Sequence, residues 1–368
     1  MAFAALGTGR CSSVAPGGVR SRTTVVCSTK KGAGSGFRIL ELGIPFGSLV
    51  KAARFGWSTA WLVMMNELAP SGPDGEYTRP QASRLRKDSV TRFPAEEGRY
   101  TLYAGVACPW CHRVLLAIEL FGLQDAIKIE WLVPGDGGLW ELETPKNGMK
   151  TMKEVYLTGD PGYRGRYTAP ALLETSTGLV VCNESIDLVR MISEEFAGVD
   201  ETHEAKTVAE RIHSDINNGV YKCGFAKTQQ AYSKSVSTLN TAMREVDELL
   251  SKQRYLSGRD KPGIADILLF PTVYRYENVY SPLFRCHSRN IPLDFPNIFE
   301  WACDMYQIEG VARVSDIATT EKNYFENLFP LNPSGIIPIG PSMDFAKKTG
   351  RATNPALQST SSTEASPV

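Results

Sequence analysis

Two hydrophobic periods divide the chain. From Arg99 to about Phe196, short apolar runs of strand length alternate with helical stripes; beyond Gly198 only helical stripes remain. Tyr100-Thr101-Leu102-Tyr103-Ala104 predicts a strand, Val114 to Leu120 a helix, and Ile127 to Val133 a second strand. Residues 135–150 read as an irregular, glycine-rich insertion carrying Trp140, followed by a helical stretch over Met152–Leu157. Pro170 directly precedes the apolar run Ala171-Leu172-Leu173-Glu174, a placement that suits a cis-proline turn. Gly178 to Cys182 pairs with that run as a hairpin, and Asn183-Glu184-Ser185 opens a helix from Ile186 to about Phe196. Residues 207–222, 228–252, 264–279 and 296–308 then predict helices, with Asp266 helping to cap a central, strongly apolar one. Upstream, residues 45–68 form an apolar helical stretch closed by the turn chemistry of Pro70 to Gly75.

The order βαβα, hairpin, helix is that of a thioredoxin-like domain, placed over residues 99–197, with an all-α domain over 198–325. Residues 37–98 make an N-terminal extension with a helix, 326–341 an extended closing segment, and the Ser/Thr/Ala-rich 342–368 a disordered tail. Residues 1–36 have the composition of a targeting segment: no acidic residue precedes Glu41, and Arg10, Arg20, Arg22, Lys30 and Lys31 are spread among Ser, Ala, Gly and Thr. Val25-Val26-Cys27-Ser28 resembles a chloroplast processing site, so the expected location is the chloroplast stroma; the bland alternative is an N-terminus without structure. The helix over 45–68 either docks on the main body or lies on a thylakoid surface; its apolar part is too short and interrupted to span a bilayer.

Forty basic residues balance forty acidic ones, so charge proposes no partner. No basic stripe with interleaved aromatics points to nucleic acid. Eight cysteines scattered through 368 residues are no disulfide framework, and no second Cys or His pair completes a zinc site, so no metal is expected and a reducing compartment fits. Only Cys108 and Cys111 are close. They stand in Cys108-Pro109-Trp110-Cys111-His112-Arg113, between the first strand and the first helix of the α/β pattern. Proline costs nothing at a first helical turn, and a cysteine at a helix N-terminus is favoured as the thiolate.

A thioredoxin-like domain followed by a helical domain is the architecture of glutathione transferases. Cys108-Pro109-Trp110-x-His112-Arg113 resembles the active-site turn of one class of them, the glutathionyl-hydroquinone reductases or Xi class. So do Asn217-Asn218-Gly219-Val220-Tyr221-Lys222-Cys223-Gly224-Phe225-Ala226, Asn332-Pro333-Ser334-Gly335-Ile336-Ile337-Pro338, Tyr77-Thr78-Arg79-Pro80 and Arg99-Tyr100-x-Leu102-Tyr103. The resemblance covers roughly residues 60–341. It implies glutathione as co-substrate, a homodimer, and reductive deglutathionylation of an aromatic glutathionyl-hydroquinone. Cys108 is then the nucleophile. Glu184 and Ser185 match the γ-glutamyl site, and the backbone of Ala169, a valine in the family, matches the cysteinyl contact. Arg166 matches a glutathione-holding arginine and is otherwise a surface charge; Trp140 matches a tryptophan packed on glutathione and is otherwise core. Tyr221, Tyr280 and Tyr324 match three tyrosines of the quinone pocket, with Tyr221 and Tyr324 as candidate proton donors; Asn323-Tyr324-Phe325 departs from the family's His-Tyr-Tyr.

The main departure is Cys111, where the family usually has alanine. It is either a resolving cysteine or a small, inert replacement. Three functions therefore stay open: the deglutathionylating reductase; a glutaredoxin-like thiol-disulfide oxidoreductase or dehydroascorbate reductase using Cys108 and Cys111; and a non-catalytic quinone or tetrapyrrole carrier, which needs the tyrosines and not Cys108. Conjugating activity is disfavoured, because a cysteine at this turn forms a disulfide with glutathione where conjugation needs a hydroxyl. Gly263 is a milder departure, standing where the fold often has a capping Ser or Thr.

Overall fold

In a computed structural model that describes residues 46–80, 94–135, 139–340 and 343–357, the two hydrophobic periods separate into a sheet domain and a helical domain. The chain divides into two compact units, one ending at Phe55 and one beginning at Gly56, and both of these domains belong to the second. The targeting segment expected over 1–36 lies outside the described residues. No helix among the described residues is long and apolar enough to cross a membrane. The first helix, α1 (Phe46–Leu68), matches its expected bounds; beyond Gly56 it leaves Trp57, Leu62 and Val63 exposed and buries Met65.

The sheet is built from β1 (Tyr100–Gly105), β2 (Lys128–Pro134), β3 (Trp140–Lys146), β4 (Met149–Thr151), β5 (Ala171–Glu174) and β6 (Val180–Cys182), in the order β4-β3-β2-β1-β5-β6. Helices α2 (Pro109–Leu120) and α3 (Met152–Gly159) interrupt it. β1 runs parallel to β2, with Leu102 opposite Ile129, and antiparallel to β5, with Leu102 opposite Leu172. Every residue of β1 is buried, as a strand covered on both faces requires. The thioredoxin-like order expected from sequence is present, with one correction. Residues 140–151 are not irregular: they add β3 and β4 to the β2 edge, where Glu141 and Leu142 pair with Val133 and Leu132. Strand pairing of short, polar-rich segments is set by the neighbouring edge rather than by local periodicity.

Helix α4 (Ser185–Arg190) continues through wider π-type turns to Phe196. The helical domain comprises α5 (His203–Arg211), α6 (Asn218–Gly224), α7 (Gln229–Leu250), α8 (Ile264–Arg275), α9 (Ser281–Leu283), α10 (Ile291–Asp294), α11 (Pro296–Tyr306) and α12 (Ile317–Asn327). Helix α8 is buried on every side, which explains its lack of a polar face. Helix α12 is not among the predicted helices because its apolar stripe is short; Asp316 caps it by accepting from the Thr319 amide at 2.9 Å.

Two expectations about the C-terminus change. Asn332-Pro333-Ser334-Gly335 is a turn rather than extended chain: the Asn332 side-chain Nδ2 donates to the carbonyls of Phe325 and Ile336, and the Gly335 N–H to the Asn332 carbonyl. Residues 343–357 are not a loose tail. Phe345 and Leu357 are buried, and the Arg351 guanidinium donates to the carbonyls of Leu250, Gln253 and Arg254, closing the end of α7. One arginine capping three carbonyls leaves no mark on composition. Residues 358–368 lie outside the described residues.

The start of α8 accounts for Gly263. Asp266 accepts from the amides of Leu256, Ser257 and Gly263 and from the indole of Trp301, as its expected capping role requires. The Ile264 amide goes instead to Glu201, a carboxylate from outside the helix. A Cβ on Gly263 would sit 2.4 Å from that carboxylate and 2.9 Å from the Ser257 Cβ, so the missing side chain makes room for a borrowed cap. Glu201→Ala should therefore lower unfolding free energy by about 1–2 kcal/mol, the cost of an unmet cap. Gly263→Ser alone should be harmful, and less so in that background, where the clash with Glu201 is gone and only the 2.9 Å contact with Ser257 remains. Denaturation of the four proteins tests this; strictly additive effects would dismiss the clash with Glu201.

Candidate active site

Cys108 is the N-cap of α2, with extended backbone, and Pro109 is the first helical residue. Its sulfur accepts from the Cys111 amide at 3.4 Å and lies 3.8 Å from the Ala169 carbonyl. Ala169 precedes Pro170 in a cis peptide, as expected from the placement of the proline. Burial pushes the Cys108 thiol up, but the thiol and amide of Cys111, the Trp110 amide and the charge of Arg275 outweigh it and bring it down to about 7. Near neutral pH a substantial fraction is therefore thiolate, the nucleophilic form. Cys111 is the complement: burial, then the hydrogen bond it gives to Cys108, push its thiol well above the usual value. It is fully enclosed, so the pair is one thiolate at the cleft edge above one neutral thiol donor.

Cys108 opens on a cleft of about 640 Å³. Among the sequence candidates, Trp140, Arg166, Ala169, Glu184, Ser185, Tyr221 and Tyr324 line it together with Cys108. The Trp140 ring lies against Gly105, where a Cβ would come within 2.6 Å of the indole; glycine at the end of β1 lets the ring reach the cleft. Arg166 is exposed, and its carbonyl accepts from the Tyr163 hydroxyl and the Thr168 amide, which shapes the loop before Pro170. Asn183 ties that loop to α3 by donating to Tyr156 Oη and Thr168 Oγ1.

At the start of α4 the expected pair divides its roles. Glu184 is the N-cap, yet its carboxylate accepts no helix amide; among the described residues it accepts from the Ser185 hydroxyl at 3.4 Å. Ser185 is the first helical residue, and its hydroxyl is set by a group that the sequence shows only as the last residue of the Cys108 motif. Arg113, on α2 and buried, donates to Ser185 Oγ at 3.2 Å, to Asn217 Oδ1 at 2.6 Å and towards His213 Nδ1 at 3.4 Å. Asn217 in turn donates to the Leu268 carbonyl and Thr272 Oγ1 on α8. Burial lowers the Arg113 guanidinium to about 9, so it remains a cation at neutral pH beside Glu184. A helix start, a serine oriented by a buried cation and a carboxylate open to the cleft form a zwitterion site: carboxylate to the first two, ammonium to the third.

The tyrosines divide. Tyr221 and Tyr324 face the cleft, their hydroxyls 2.5 Å apart. Tyr280 does not line it: 1% exposed, it stacks on Phe284 at 5.3 Å and meets the cleft from behind, its ring 5.8 Å from that of Tyr221 and its hydroxyl 3.3 Å from that of Tyr324. Burial raises all three phenols, so they keep their protons at neutral pH. Tyr221 also stacks on Trp110 at 5.7 Å, and the Arg79 guanidinium lies 3.3 Å from the centre of the same indole. Arg79 is thus a cleft residue that was legible in sequence only as part of the Tyr77 motif.

Comparison with known proteins decides the family. Residues 107–195 match the model for the glutathione S-transferase N-terminal domain, and residues 229–302 that for the C-terminal domain. The chain is 32% identical over 307 residues to the glutathionyl-hydroquinone reductase PcpF of Sphingobium chlorophenolicum, covering 78% of this chain and 94% of that protein. The chain belongs to the glutathionyl-hydroquinone reductases, the Xi class of glutathione transferases. The Xi glutathione transferase of Phanerochaete chrysosporium superposes with a TM-score of 0.68 at 32% identity, covering 74% of this chain and 94% of that one. The glutathione-bound structure of YqjG, a transferase homologue from Escherichia coli, matches with a TM-score of 0.63 at 32% identity, over 70% of this chain and 89% of that one. Among the described residues no cluster of three or more His, Cys, Asp or Glu is arranged for a metal ion.

The buried Cys111 thiol has a measurable consequence. Alkylation of Cys108 should rise with pH about a midpoint near 7. Cys111→Ala should move that midpoint up by about one pH unit, the value of one hydrogen bond to a charged group. Cys111→Ser, which keeps a donor, should leave it nearly in place. An unmoved midpoint in the alanine variant means that Cys111 gives Cys108 nothing.

Proposed function

We propose that this chain reduces glutathionyl-hydroquinones with glutathione, through a Cys108 mixed disulfide. The observation that carries this is the thiolate at the start of α2 facing, across one cleft, a pair of neutral phenols. The relatives named for this reaction, PcpF and YqjG, share most of their length with the chain. The glutathionyl part lies on Glu184, Ser185, Ala169, Arg166 and Trp140, with its sulfur towards Cys108. The hydroquinone ring lies on the Tyr221 and Tyr324 side, beside Trp110.

The Cys108 thiolate attacks the glutathione sulfur. The new S–S bond forms as the sulfur–carbon bond breaks, and the electron pair leaves on the ring carbon. That carbon takes one proton; Tyr221, hydrogen-bonded to Tyr324, supplies or relays it as a general acid that is still protonated at pH 7. The hydroquinone departs. The thiolate of a second glutathione then attacks the mixed disulfide, giving glutathione disulfide and regenerating the Cys108 thiolate. Because Cys108 is the ionising nucleophile, activity should climb with pH through about 7 and fall on the acid side as the thiolate is protonated.

The glutaredoxin-like reading has one observation in its favour, the contact between Cys108 and Cys111. Against it stands the complete burial of Cys111 and its raised thiol. A homodimer and a chloroplast stromal location belong to the same proposal: the first rests on family resemblance, the second on the acid-poor, Ser/Arg-rich residues 1–36.

Turnover of a glutathionyl-naphthohydroquinone is the assay. Cys108→Ala should abolish it, and Tyr221→Phe should lower kcat by about 10- to 100-fold with a smaller change in KM. Full activity in Cys108→Ala, or strong reduction of small disulfides with no turnover of the adduct, would defeat the proposal.

A further inference from the structure

Arg275 is the last residue of α8 and is 1% exposed. A guanidinium so enclosed normally meets a carboxylate. Among the described residues none pairs with it. Its hydrogen bonds go to neutral acceptors: His112 Nδ1 at 2.7 Å, the Pro271 carbonyl at 3.1 Å and the Val106 carbonyl at 3.3 Å, and its Nε has no partner. Arg113, the other buried guanidinium of the junction, has Glu184 beside it.

His112 does not supply the missing charge, nor compete as a cation. Arg275 donates to Nδ1, so Nδ1 is an acceptor and the ring proton sits on Nε2, which donates to Ser315 Oγ at 3.0 Å; that hydroxyl donates to the Val311 carbonyl at 2.7 Å. The chain of bonds fixes one neutral tautomer. Burial, then the adjacent guanidinium, hold the ring well below the usual histidine range. The imidazole therefore acts as a wedge that sets the guanidinium against the active-site turn.

The remaining ionisable groups facing that turn leave one counter-charge. Cys111, on the helix that Cys108 opens, stays a neutral thiol. Tyr221 from α6, Tyr280 from the turn after α8 and Tyr324 from α12 stay neutral phenols. Glu184, Arg166 and Arg79 stand around the solvent-facing cleft. The Val106 carbonyl that Arg275 holds is two residues before Cys108, in the turn that delivers the sulfur.

We propose that Arg275 is the buried counter-charge of the Cys108 thiolate, held in place by His112 and fixing the turn through the Val106 carbonyl. It is a positioning residue: it acts through Cys108. The proposal rests on Cys108 being the nucleophile. It gives the His112 of the active-site motif a purpose, to accept from Arg275, and it explains why a buried cation in the helical domain lacks an acid. The charge and the thiolate lie on different domains, so ionisation of Cys108 strengthens the junction between them.

The test measures Cys108 alkylation by iodoacetamide against pH, followed by mass spectrometry of the Cys108 peptide. Arg275→Gln keeps amide donors for the Val106 carbonyl and removes the charge. It should move the midpoint from near 7 upward by up to about one pH unit. Alkylation at pH 7 should then fall by up to roughly fivefold and recover by pH 9. Arg275→Lys keeps the charge and should hold the midpoint within a few tenths of a unit of the wild-type value. A folded Arg275→Gln with an unmoved midpoint overturns the proposal, as does a Lys variant that shifts as far as the Gln variant. If Arg275→Gln does not fold, wild type and Cys108→Ser are compared by thermal unfolding from pH 6 to pH 9. The folded thiol titrates lower than the unfolded one, so thiolate stabilisation is absent below the folded midpoint and grows as pH rises above it. The wild-type advantage should widen with pH; a flat difference overturns the proposal. Neither readout uses turnover, so an inactive or still active Cys108→Ala in the adduct assay judges the function separately.

Discussion

The site depends on two guanidiniums buried where the sheet domain meets the helical domain. Arg113 comes from the sheet side and is bound by Ser185 and Asn217; Arg275 comes from the helical side and is bound by His112 and the Val106 carbonyl. Each crosses the junction in the opposite direction, and none of these partners is a carboxylate. Enclosing a cation this way is costly unless donors and acceptors are complete and a negative group is near. The arrangement therefore makes the domain junction and the anion sites of the cleft a single construction. The Glu184–Ser185 end of the cleft gains positive potential from Arg113, and on the proposal above the thiol end gains it from Arg275.

The opposite wall works by withholding charge. Tyr221, Tyr280 and Tyr324 join through hydroxyls, pack on Phe284 and Trp110, and are held protonated by burial. A thiolate on one side and un-ionised phenols on the other is the separation that a reductive cleavage needs. The nucleophile must be basic and available, while the acid must not release its proton before the ring carbon takes the electron pair. Tyr280 contributes from behind, by orienting Tyr324, which is why a match by motif alone placed it in the pocket and the packing does not.

Much of this was legible in the residues. The strand–turn–helix around Cys108, the proline after Ala169, the Glu184-Ser185 start and the long helices follow from period, caps and turn chemistry. The Asn217 to Ala226 run also acquires a physical reading: Asn217 bridges Arg113 to α8 and Tyr221 faces the cleft. What escaped has a common cause. Arg275 and Arg351 look like surface charges in a sequence, and Arg113 is visible there only as part of a motif; tertiary structure alone says that their heads are buried and which neutral acceptors they meet. The strands over 140–151 escaped because an edge recruits them, and Gly263 because its cap comes from Glu201, far along the chain.

Cys111 is better understood against that background. A cysteine one turn after an N-cap cysteine invites reading as a resolving thiol. Resolution requires its sulfur to become a thiolate, and burial, the largest cause, pushes its thiol up. In the resting enzyme its proton has the opposite use: lent to the Cys108 thiolate, it stabilises the form that attacks substrate. Where a family alanine would leave Cys108 with the helix amides and Arg275, this chain adds one more donor. On the proposed monothiol mechanism the second cysteine serves as a donor to the nucleophile. The departure from the family pattern is a change in how strongly the nucleophile is held ionised, located one helical turn below it.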